Sequence, residues 1–210
     1  MSKTIFVTGT DTGVGKTTIS VLLLRKLNRL GYKTFALKPI ASGCIADENN
    51  NLINEDALAL QAAALIVKPY TVVNPIALKE PIAPHLAAKL MGENLSVDLL
   101  TKTIISNLQS EADINIIEGV GGWSVPLNEK ELFSEVIVNL KIPVILVVAI
   151  KLGCLNHAIL TYHNILQMKV SLLGWVANCM EQNTLASSEN IETLKQWIDA
   201  PCLGVVPFIK

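Results

Sequence analysis

The chain has 210 residues, of which 50% are hydrophobic, 17% charged and 5% aromatic, and its formal net charge is −1. This composition excludes a disordered chain and suits one domain, residues 1–210, whose strands are buried on both faces. The longest apolar run, Ile142–Ile150, is far shorter than the about 20 residues of a membrane-spanning helix, and the charge balance favours a small-molecule partner over nucleic acid or a membrane.

Short β-branched and aliphatic runs alternate along the chain with segments of helical spacing. The predicted strands are Thr4–Thr8, Thr34–Lys38, Ile114–Ile117, Val144–Ala149, Leu172–Ala177 and Leu203–Val206. The predicted helices are Lys16–Leu30, Glu55–Ile66, Ser96–Leu108, Glu131–Leu140, Asn156–Met168 and Ser188–Ile198. This alternation predicts an α/β fold with a doubly wound, mainly parallel sheet, because parallel strands need crossover connections. The polar segment Ala41–Asn54 and the proline-rich segment Lys68–Pro84 are predicted loops.

A glycine-rich segment, residues 9–17 (GTDTGVGKT), follows the first predicted strand and leads into the first predicted helix. It is a variant of the phosphate-binding loop with one extra residue. In such a loop the backbone N–H groups and the helix N-terminus bind phosphate oxygens, Lys16 can reach the terminal phosphates, and Thr17 can bind Mg²⁺. Glycine-rich turns also occur without a nucleotide, but this sequence context favours ATP or GTP. The chain has no G-x-G-x-x-G, which argues against a dinucleotide site.

Three ionisable residues lie at positions where a parallel sheet binds its ligands. Lys38 ends the second predicted strand in the segment KPIASG, which also brings the Ser42 hydroxyl to the sheet edge. Glu118 follows the third predicted strand, and metal binding explains a carboxylate there better than packing does. Asp56, at the start of a predicted helix, is either a metal ligand or an ordinary helix N-terminal carboxylate.

Two further strand ends carry weaker signals. Residues 151–156 (KLGCLN) open a predicted helix, whose free N–H groups could capture a carboxylate, although Asn156 could equally be an ordinary N-cap. Asn178 follows the fifth predicted strand and offers an amide donor and acceptor to an adenine edge, or is simply a turn residue. We expect Trp123 to pack in the core rather than to contact substrate.

The four cysteines predict neither a zinc site nor a disulfide framework, because they lie far apart and form no C-x-x-C pair. We expect free and mostly buried thiols in a reducing cytosol. The N-terminal residues, MSKTIFVT, contain too few apolar positions for a secretory signal, so a cytoplasmic location is expected.

The ordered set of motifs resembles the ATP-dependent dethiobiotin synthetase family, whose members are P-loop cyclo-ligases of biotin biosynthesis. The matching segments are Phe6–Thr17, Lys38–Gly43, Asp56–Leu60, Pro84–His85, Glu118–Trp123, Pro143–Val148, Lys151–His157 and Gly174–Asn178. They run in order over nearly the whole chain. A P-loop alone is shared by many families, whereas this ordered set is specific.

The resemblance implies a reaction in which an amine of 7,8-diaminopelargonate adds CO₂ to form a carbamate, ATP phosphorylates the carbamate, and the second amine displaces phosphate to close the ureido ring. It implies catalytic roles for Lys38, Lys16 and Thr12, and a Mg²⁺ ion held by Thr17, Asp56 and Glu118. Lysines and a metal ion near the γ-phosphate would stabilise the negative charge that each step concentrates there.

The resemblance also implies the remaining binding residues and a homodimer. The implied nucleotide contacts are Gly13, Val14, Gly15, Lys16, Thr17, Thr18, Asp56, Glu118, Gly119, Val120, Gly121, Asn178, Cys179, Pro207, Phe208 and Ile209. The implied substrate contacts are Ser42 and, from the partner subunit across the dimer interface, the positions matching Lys151, Leu152, Gly153, Cys154 and Asn156.

Two other enzyme classes share a similar P-loop. The first is an amide-forming ligase of cobalamin synthesis, whose members usually carry a glutaminase domain for which 210 residues leave no room. The second is a partitioning or division-site ATPase, which places an additional lysine near the start of the loop, where this chain has Thr10 and Asp11. Both fit the residues less well than the cyclo-ligase does.

Overall fold

The computed structural model describes residues 2–180 and 186–208. The strands are β1 (Lys3–Gly9), β2 (Thr34–Leu37), β3 (Ile40–Ser42), β4 (Ile45–Ala46), β5 (Leu52–Ile53), β6 (Ile76–Leu78), β7 (Ile114–Glu118), β8 (Val144–Ala149), β9 (Leu172–Asn178) and β10 (Cys202–Val206). The helices are α1 (Lys16–Arg29), α2 (Glu55–Ala63), α3 (Tyr70–Val73), α4 (Pro84–Leu90), α5 (Val97–Asn107), α6 (Phe133–Leu140), α7 (Cys154–Gln167) and α8 (Ser187–Trp197).

The central sheet of the described residues has six parallel strands in the order β10-β9-β8-β1-β7-β2. These are the six predicted strands, each within two residues of its predicted ends. Neighbouring residues of a strand point to opposite faces. Phe6 packs in the core that includes side chains of α5 and α6, and Val7 packs in the core that includes side chains of α1 and α2. The predicted doubly wound α/β fold is therefore confirmed.

The order of the sheet reverses at β1, which pairs with β7 on one side and with β8 on the other. After β1 the chain forms α1 and then β2. The later strand β7 lies between β1 and β2 in the sheet. In open α/β sheets this reversal leaves a crevice beyond the carboxyl ends of the strands. The glycine-rich loop follows β1 directly, so it lies at that crevice.

The segments predicted as loops contain short elements that the sequence pattern did not reveal. β3 pairs with β6 in parallel, and β4 pairs with β5 in a small antiparallel hairpin. α3 has four residues and α4 has seven. Such pieces are too short to show a period in the sequence. Ser42 of β3, Pro84 of α4 and the residues that join β6 to α4 nevertheless line the crevice.

Three predicted helix boundaries are wrong by two or three residues, and the others lie within one residue of the observed ends. α2 ends at Ala63 rather than Ile66, because Ala64 is already extended. α6 begins at Phe133, two residues later than predicted, because Leu132 is extended. α7 begins at Cys154 after Gly153, which adopts a left-handed conformation with φ of 88°.

Among the described residues, no helix is long and apolar enough to cross a membrane. All four cysteines are free, as expected. Cys44 and Cys154 are buried, whereas Cys179 and Cys202 are half-buried, so the expectation of mostly buried thiols is met by two of the four.

Candidate active site

The glycine-rich loop wraps the N-terminus of α1. Gly15 is the residue before the helix and has φ of 87°, a left-handed conformation that glycine adopts without strain. A Cβ atom at Gly15 would lie 2.1 Å from Nδ2 of Asn178, a contact that no side chain can make. Asn178 Nδ2 instead donates a hydrogen bond of 2.9 Å to the Val14 carbonyl. The end of β9 therefore supports the loop from behind.

Lys16 is buried, and its ammonium group is held by backbone carbonyls of the loops around it. It donates to the carbonyl of Asp11 at 3.1 Å and to the carbonyl of Gly121. Burial and the neighbouring Lys38 lower the pKa of Lys16 to about 8. A phosphate oxygen would be a stronger acceptor than these carbonyls, because its negative charge favours the protonated amine.

Lys38 lies just beyond β2 and joins two carboxylates. Its Nζ atom is 2.6 Å from Glu118 Oε1 and 3.4 Å from Asp56 Oδ2. Burial by itself would lower the pKa of Lys38, but the carboxylates of Glu118 and Asp56 together raise it above its ordinary value. Thr17 donates a hydrogen bond of 2.9 Å to the same oxygen, Glu118 Oε1. The side chains of Asp56, Glu118 and Lys38, all candidates from the sequence, therefore meet in the structure.

The oxygen atoms around this point suit a divalent cation. Glu118 is fully buried, and its second oxygen, Oε2, has no hydrogen-bond partner among the described residues. Carboxylate and hydroxyl oxygens are the ligands that Mg²⁺ prefers, and Mg²⁺ usually takes one or two carboxylates and completes its shell with phosphates and water. Thr17, Asp56 and Glu118 fit that pattern. The described residues contain no group of three or more His, Cys, Asp or Glu side chains that could cage a metal ion.

A cleft of about 590 Å³, here called the phosphate cleft, opens above these residues. Its lining residues are Thr12, Gly13, Gly15, Lys16, Thr17, Thr18, Lys38, Ser42, Asn54, Asp56, Pro81, Ile82, Ala83, Pro84, Val120 and Gly121. Eleven of these positions are candidates from the sequence. Ser42 contributes a buried hydroxyl with no hydrogen-bond partner among the described residues, so this hydroxyl is free to bind a ligand in the cleft.

Two candidates lie directly behind the phosphate cleft. Val14 is buried beneath the glycine-rich loop. Gly119 donates its backbone N–H to Val7, and a Cβ atom there would lie 2.7 Å from the ring of Phe6. Glycine at this position allows the loop after β7 to approach β1 closely, which brings Glu118 under Thr17.

The candidates for base binding lie at a different edge of the sheet. Asn178 and Cys179 are at the end of β9, and Cys179 donates its backbone N–H to Val206 of β10. Pro207 and Phe208 follow β10 and are exposed. None of these four residues lines the phosphate cleft. Ile209 lies outside the described residues.

The candidates at residues 151–156 also lie away from the phosphate cleft. Leu152 is 99% exposed, and Asn156 is exposed as well, whereas Cys154 is buried. Gly153 precedes the first helical residue of α7, so Asn156 is the third residue of the helix. The interpretation of Asn156 as an N-cap is therefore wrong.

Five residues of the cleft wall were not among the candidates from the sequence. Pro81, Ile82, Ala83 and Pro84 belong to the segment that follows β6, and Asn54 precedes α2. The proline-rich composition of this segment indicated a loop but not the side of the molecule on which it lies. Trp123, by contrast, is 4% exposed and donates to Asn164 Oδ1 at 2.8 Å, which confirms that it packs in the core.

Comparison with known proteins identifies the family. The sequence profile of an AAA domain family matches residues 3–210. The ATP-dependent dethiobiotin synthetase BioD of Cellvibrio japonicus is 46% identical over 98% of this chain and 89% of its own length. The enzyme of the same name from Marinobacter nauticus is 44% identical over 99% of this chain and 88% of its own length. The chain belongs to the dethiobiotin synthetase family. It is accordingly an enzyme of the ligase class.

Solved structures share the fold at much lower sequence identity. The septum site-determining protein MinD of Pyrococcus horikoshii, complexed with Mg-ADP, has a TM-score of 0.61 at 20% identity, over 99% of this chain and 82% of its own. A putative plasmid partition protein of Borrelia burgdorferi, bound to AMPPNP, has a TM-score of 0.61 at 13% identity, over 100% of this chain and 86% of its own. At these identities the likeness establishes a P-loop NTPase fold and no function. This chain thus shares its fold with these two proteins.

Proposed function

We propose that this chain, as one catalytic domain of residues 1–210, uses ATP and Mg²⁺ to convert 7,8-diaminopelargonate and CO₂ into dethiobiotin, ADP and phosphate. The observation that carries the proposal is that two buried lysines, Lys16 and Lys38, line one cleft together with Asp56, while the fully buried Glu118 carboxylate contacts Lys38. This arrangement occurs in a member of the dethiobiotin synthetase family.

The first step forms a carbamate. An amine nitrogen of the substrate attacks the carbon of CO₂, a C–N bond forms, and the nitrogen releases its proton to solvent. Lys38, Thr12 and the free hydroxyl of Ser42 all line the cleft in which the carbamate oxygens would lie. Fixed donors of this kind orient the reactants and stabilise the new negative charge.

The second step transfers the γ-phosphoryl group to a carbamate oxygen, and ADP leaves. Lys16 would exchange its carbonyl partners for phosphate oxygens, while the N–H groups of Gly13, Val14, Gly15 and Thr18 surround them. Thr17, Asp56 and Glu118 would hold Mg²⁺, which neutralises charge on the phosphates when it is bound. In the last step the second amine attacks the carbamoyl carbon, phosphate leaves with the C–O bond electrons, the nitrogen releases its proton to solvent, and the ring closes.

The apolar cleft wall suits the hydrocarbon part of this substrate. Pro81, Ile82 and Ala83 line the same cleft as Thr12 and Lys38. A cleft lined by both polar and apolar side chains suits an aliphatic diamine. Contact with such a wall removes apolar surface from water, which contributes to affinity without involving the reacting atoms.

The base would be bound at the ends of β9 and β10, by Asn178, Cys179, Pro207, Phe208 and Ile209, with Val120 and Gly121 nearer the phosphates. Asn178 Nδ2 donates to Val14, which leaves the amide oxygen to accept a hydrogen bond from a base. An acceptor at this point suits the 6-amino group of adenine and opposes the 6-oxo group of guanine. ATP is therefore the expected nucleotide.

We further propose that the active form is a homodimer in which Lys151, Leu152, Gly153, Cys154 and Asn156 of each subunit serve the partner's substrate site. Leu152 is 99% exposed and Leu160, on the same helix α7, is 62% exposed. Exposed leucines beside a free helix N-terminus suit a contact between subunits in which backbone N–H groups bind the substrate carboxylate.

The test incubates the purified protein with 7,8-diaminopelargonate, bicarbonate, Mg²⁺ and ATP, and follows dethiobiotin by mass spectrometry together with ADP release. Product should form with one ADP per ring, and each omission should abolish it. Lys38→Ala should bind ATP but form almost no product. ATP hydrolysis at the same rate with and without the diamine would contradict the proposal and would favour an ATPase switch of the division or partition class.

A further inference from the structure

A chain of hydrogen bonds behind the phosphate cleft centres on the hydroxyl of Tyr70. This hydroxyl accepts a bond of 2.8 Å from the backbone N–H of Asn54 and donates a bond of 2.9 Å to Oδ1 of Asn74. Tyr70 begins α3 and Asn74 follows its last residue, so the short helix holds the two side chains at the right separation. Both hydrogen-bonding functions of the hydroxyl are used.

One end of this chain reaches Lys38. Asn74 is buried, and its Nδ2 atom donates to the Lys38 carbonyl at 2.7 Å. The backbone N–H of Lys38 in turn donates to the carbonyl of Val73 at 2.8 Å. Lys38 lies one residue beyond the end of β2, where the sheet no longer fixes its backbone. α3 and Asn74 therefore fix the backbone of this lysine.

The other end reaches Asp56 and Ser42. Asn54 is the N-cap of α2, because its Oδ1 atom accepts a hydrogen bond of 3.3 Å from the N–H of Ala57, three residues later. The backbone N–H of Asn54 itself donates to the Tyr70 hydroxyl. Its Nδ2 atom lies 3.4 Å from the Ser42 carbonyl. Asp56 belongs to the first turn of the helix that Asn54 caps. A shift of Asn54 would therefore move the Asp56 carboxylate relative to Lys38.

Tyr70 is suited to this task because its hydroxyl stays protonated. Burial raises the pKa of Tyr70 to about 12, so at neutral pH the group both donates and accepts. Phenylalanine at this position would keep the ring and lose both bonds. The buried Oδ1 of Asn74 would then lack a donor, which costs more than the net value of the bond itself.

We propose that Tyr70 is a positioning residue that sets the spacing between Lys38 and Asp56, and thereby the geometry in which the site binds a divalent cation together with the terminal phosphate. The inference rests on the proposed role of Asp56 and Glu118 as cation ligands. Tyr70 does not line the cleft and touches neither reactant in this arrangement. It acts through Asn74 on the lysine and through Asn54 on the helix that carries Asp56.

The test is Tyr70→Phe, measured first by binding of a non-hydrolysable ATP analogue. Because the glycine-rich loop and Lys16 are untouched, affinity for the analogue in EDTA should stay within about twofold of wild type, whereas the Mg²⁺ concentration for half-saturation should rise about five- to tenfold. In turnover, kcat should fall while the KM for the diamine changes little.

The matched control is Tyr162→Phe. The hydroxyl of Tyr162 also accepts a backbone N–H, that of Asp199 at 3.1 Å, but between α7 and the segment after α8. This variant should lose comparable thermal stability and keep the wild-type Mg²⁺ dependence. Equal Mg²⁺ dependence in Tyr70→Phe and Tyr162→Phe would overturn the positioning role.

A second variant, Asn74→Ser, interrupts the same chain one link further on. If Tyr70 and Asn74 act through the same series of hydrogen bonds, their effects are coupled and should not add. The double variant, Tyr70→Phe with Asn74→Ser, should then need no more Mg²⁺ for half-saturation than the more severe single variant. Additive losses would overturn the proposal. Asp56→Ala separates the positioning role of Tyr70 from the assignment of Asp56 as a cation ligand. If Asp56→Ala alters Mg²⁺ binding and Tyr70→Phe does not, only the positioning role is wrong. If neither variant alters Mg²⁺ binding, the cation assignment is wrong as well.

Discussion

The Lys38 ammonium lies 2.6 Å from Glu118 Oε1, and both side chains are buried at the carboxyl ends of neighbouring strands. β2 and β7 pair with Leu37 opposite Ile117, so the residues that follow each strand are brought side by side. A buried pair of opposite charges contributes little net stability, because each ion has lost its hydration. A role in catalysis therefore explains the ion pair beneath the phosphate-binding loop better than a contribution to folding stability does.

Removing one charge of this pair should destabilise the protein more than removing both. Lys38→Ala leaves the fully buried Glu118 without its cation, and we expect a loss of about 3–5 kcal/mol in the free energy of unfolding. Lys38→Ala combined with Glu118→Gln should recover most of that loss. Urea unfolding without nucleotide measures both. A double variant no more stable than Lys38→Ala would contradict the buried ion pair.

Nucleotide binding should weaken above pH 8 because of Lys16. Its pKa is about 8 in the free protein, and a bound phosphate favours the protonated form, so at higher pH binding must take up a proton. The affinity for an ATP analogue should be flat below pH 8 and fall by up to about tenfold per pH unit above it.

Calorimetry from pH 7 to pH 9.5, in buffers that differ in ionisation enthalpy, measures both the affinity and the proton uptake. Lys16→Arg is the control, because a guanidinium stays charged throughout this range. In this variant the fall in affinity above pH 8 should disappear, whatever its affinity at pH 7. The same fall in Lys16→Arg would assign the titration to another group.

Two glycines of the phosphate loop should differ in their tolerance of alanine. Gly13 has φ of 71° and nothing within 4 Å of a Cβ position, so Gly13→Ala should cost only the left-handed strain, about 1 kcal/mol. Gly15→Ala adds a contact of 2.1 Å with Asn178 Nδ2 and should break its bond to Val14.

Thermal unfolding and binding of the ATP analogue compare the two variants. Gly15→Ala should lose nucleotide affinity by more than tenfold, and Gly13→Ala by much less. If both variants bind alike, the support that Asn178 gives to the loop does not matter for nucleotide binding.

Sharing of the substrate site between subunits can be tested by mixing two defective variants. Lys38→Ala removes a residue of the phosphate cleft, and Asn156→Ala removes one at the start of α7, which should raise the KM for the diamine. If each site uses Lys38 of one subunit and Asn156 of the other, a mixed dimer contains one intact site. An equal, re-equilibrated mixture should then recover about a quarter of the wild-type activity at low diamine concentration.

The control is the average of the two variants assayed separately. A mixture whose activity equals this average would show that Lys38 and Asn156 of one site belong to the same subunit. Leu152→Ala, at a position 99% exposed, should weaken the dimer in sedimentation without changing nucleotide affinity. An unchanged sedimentation profile would exclude Leu152 from the interface.

Much of the fold was predictable because it follows from local patterns. The six strands of the central sheet are β-branched and aliphatic runs, and the phosphate loop is identified by glycines and a lysine between a strand and a helix. Lys38 and Glu118 were recognisable for the same reason, since Lys38 ends one predicted strand and Glu118 directly follows another.

The cleft wall and the supporting polar chain were not predictable in this way. β3 to β6, α3 and α4 have between two and seven residues, too few for a hydrophobic period to mark them. Nothing near Tyr70 in the sequence indicates that its hydroxyl meets Asn54, which is 16 residues earlier. Similarly, the start of α7 depends on the left-handed conformation of Gly153, and the N-cap preference of asparagine suggested a later start.

The sequence by itself determined the parallel α/β architecture, the phosphate-binding loop and the identity of the charged residues, because these depend on residue type and spacing within about 20 positions. Only the tertiary structure decided which of those residues meet. Lys38 and Glu118 are separated by 80 residues, and Thr17 and Glu118 by 101. Their contact follows from the placement of β7 between β1 and β2, which the packing of the whole sheet decides.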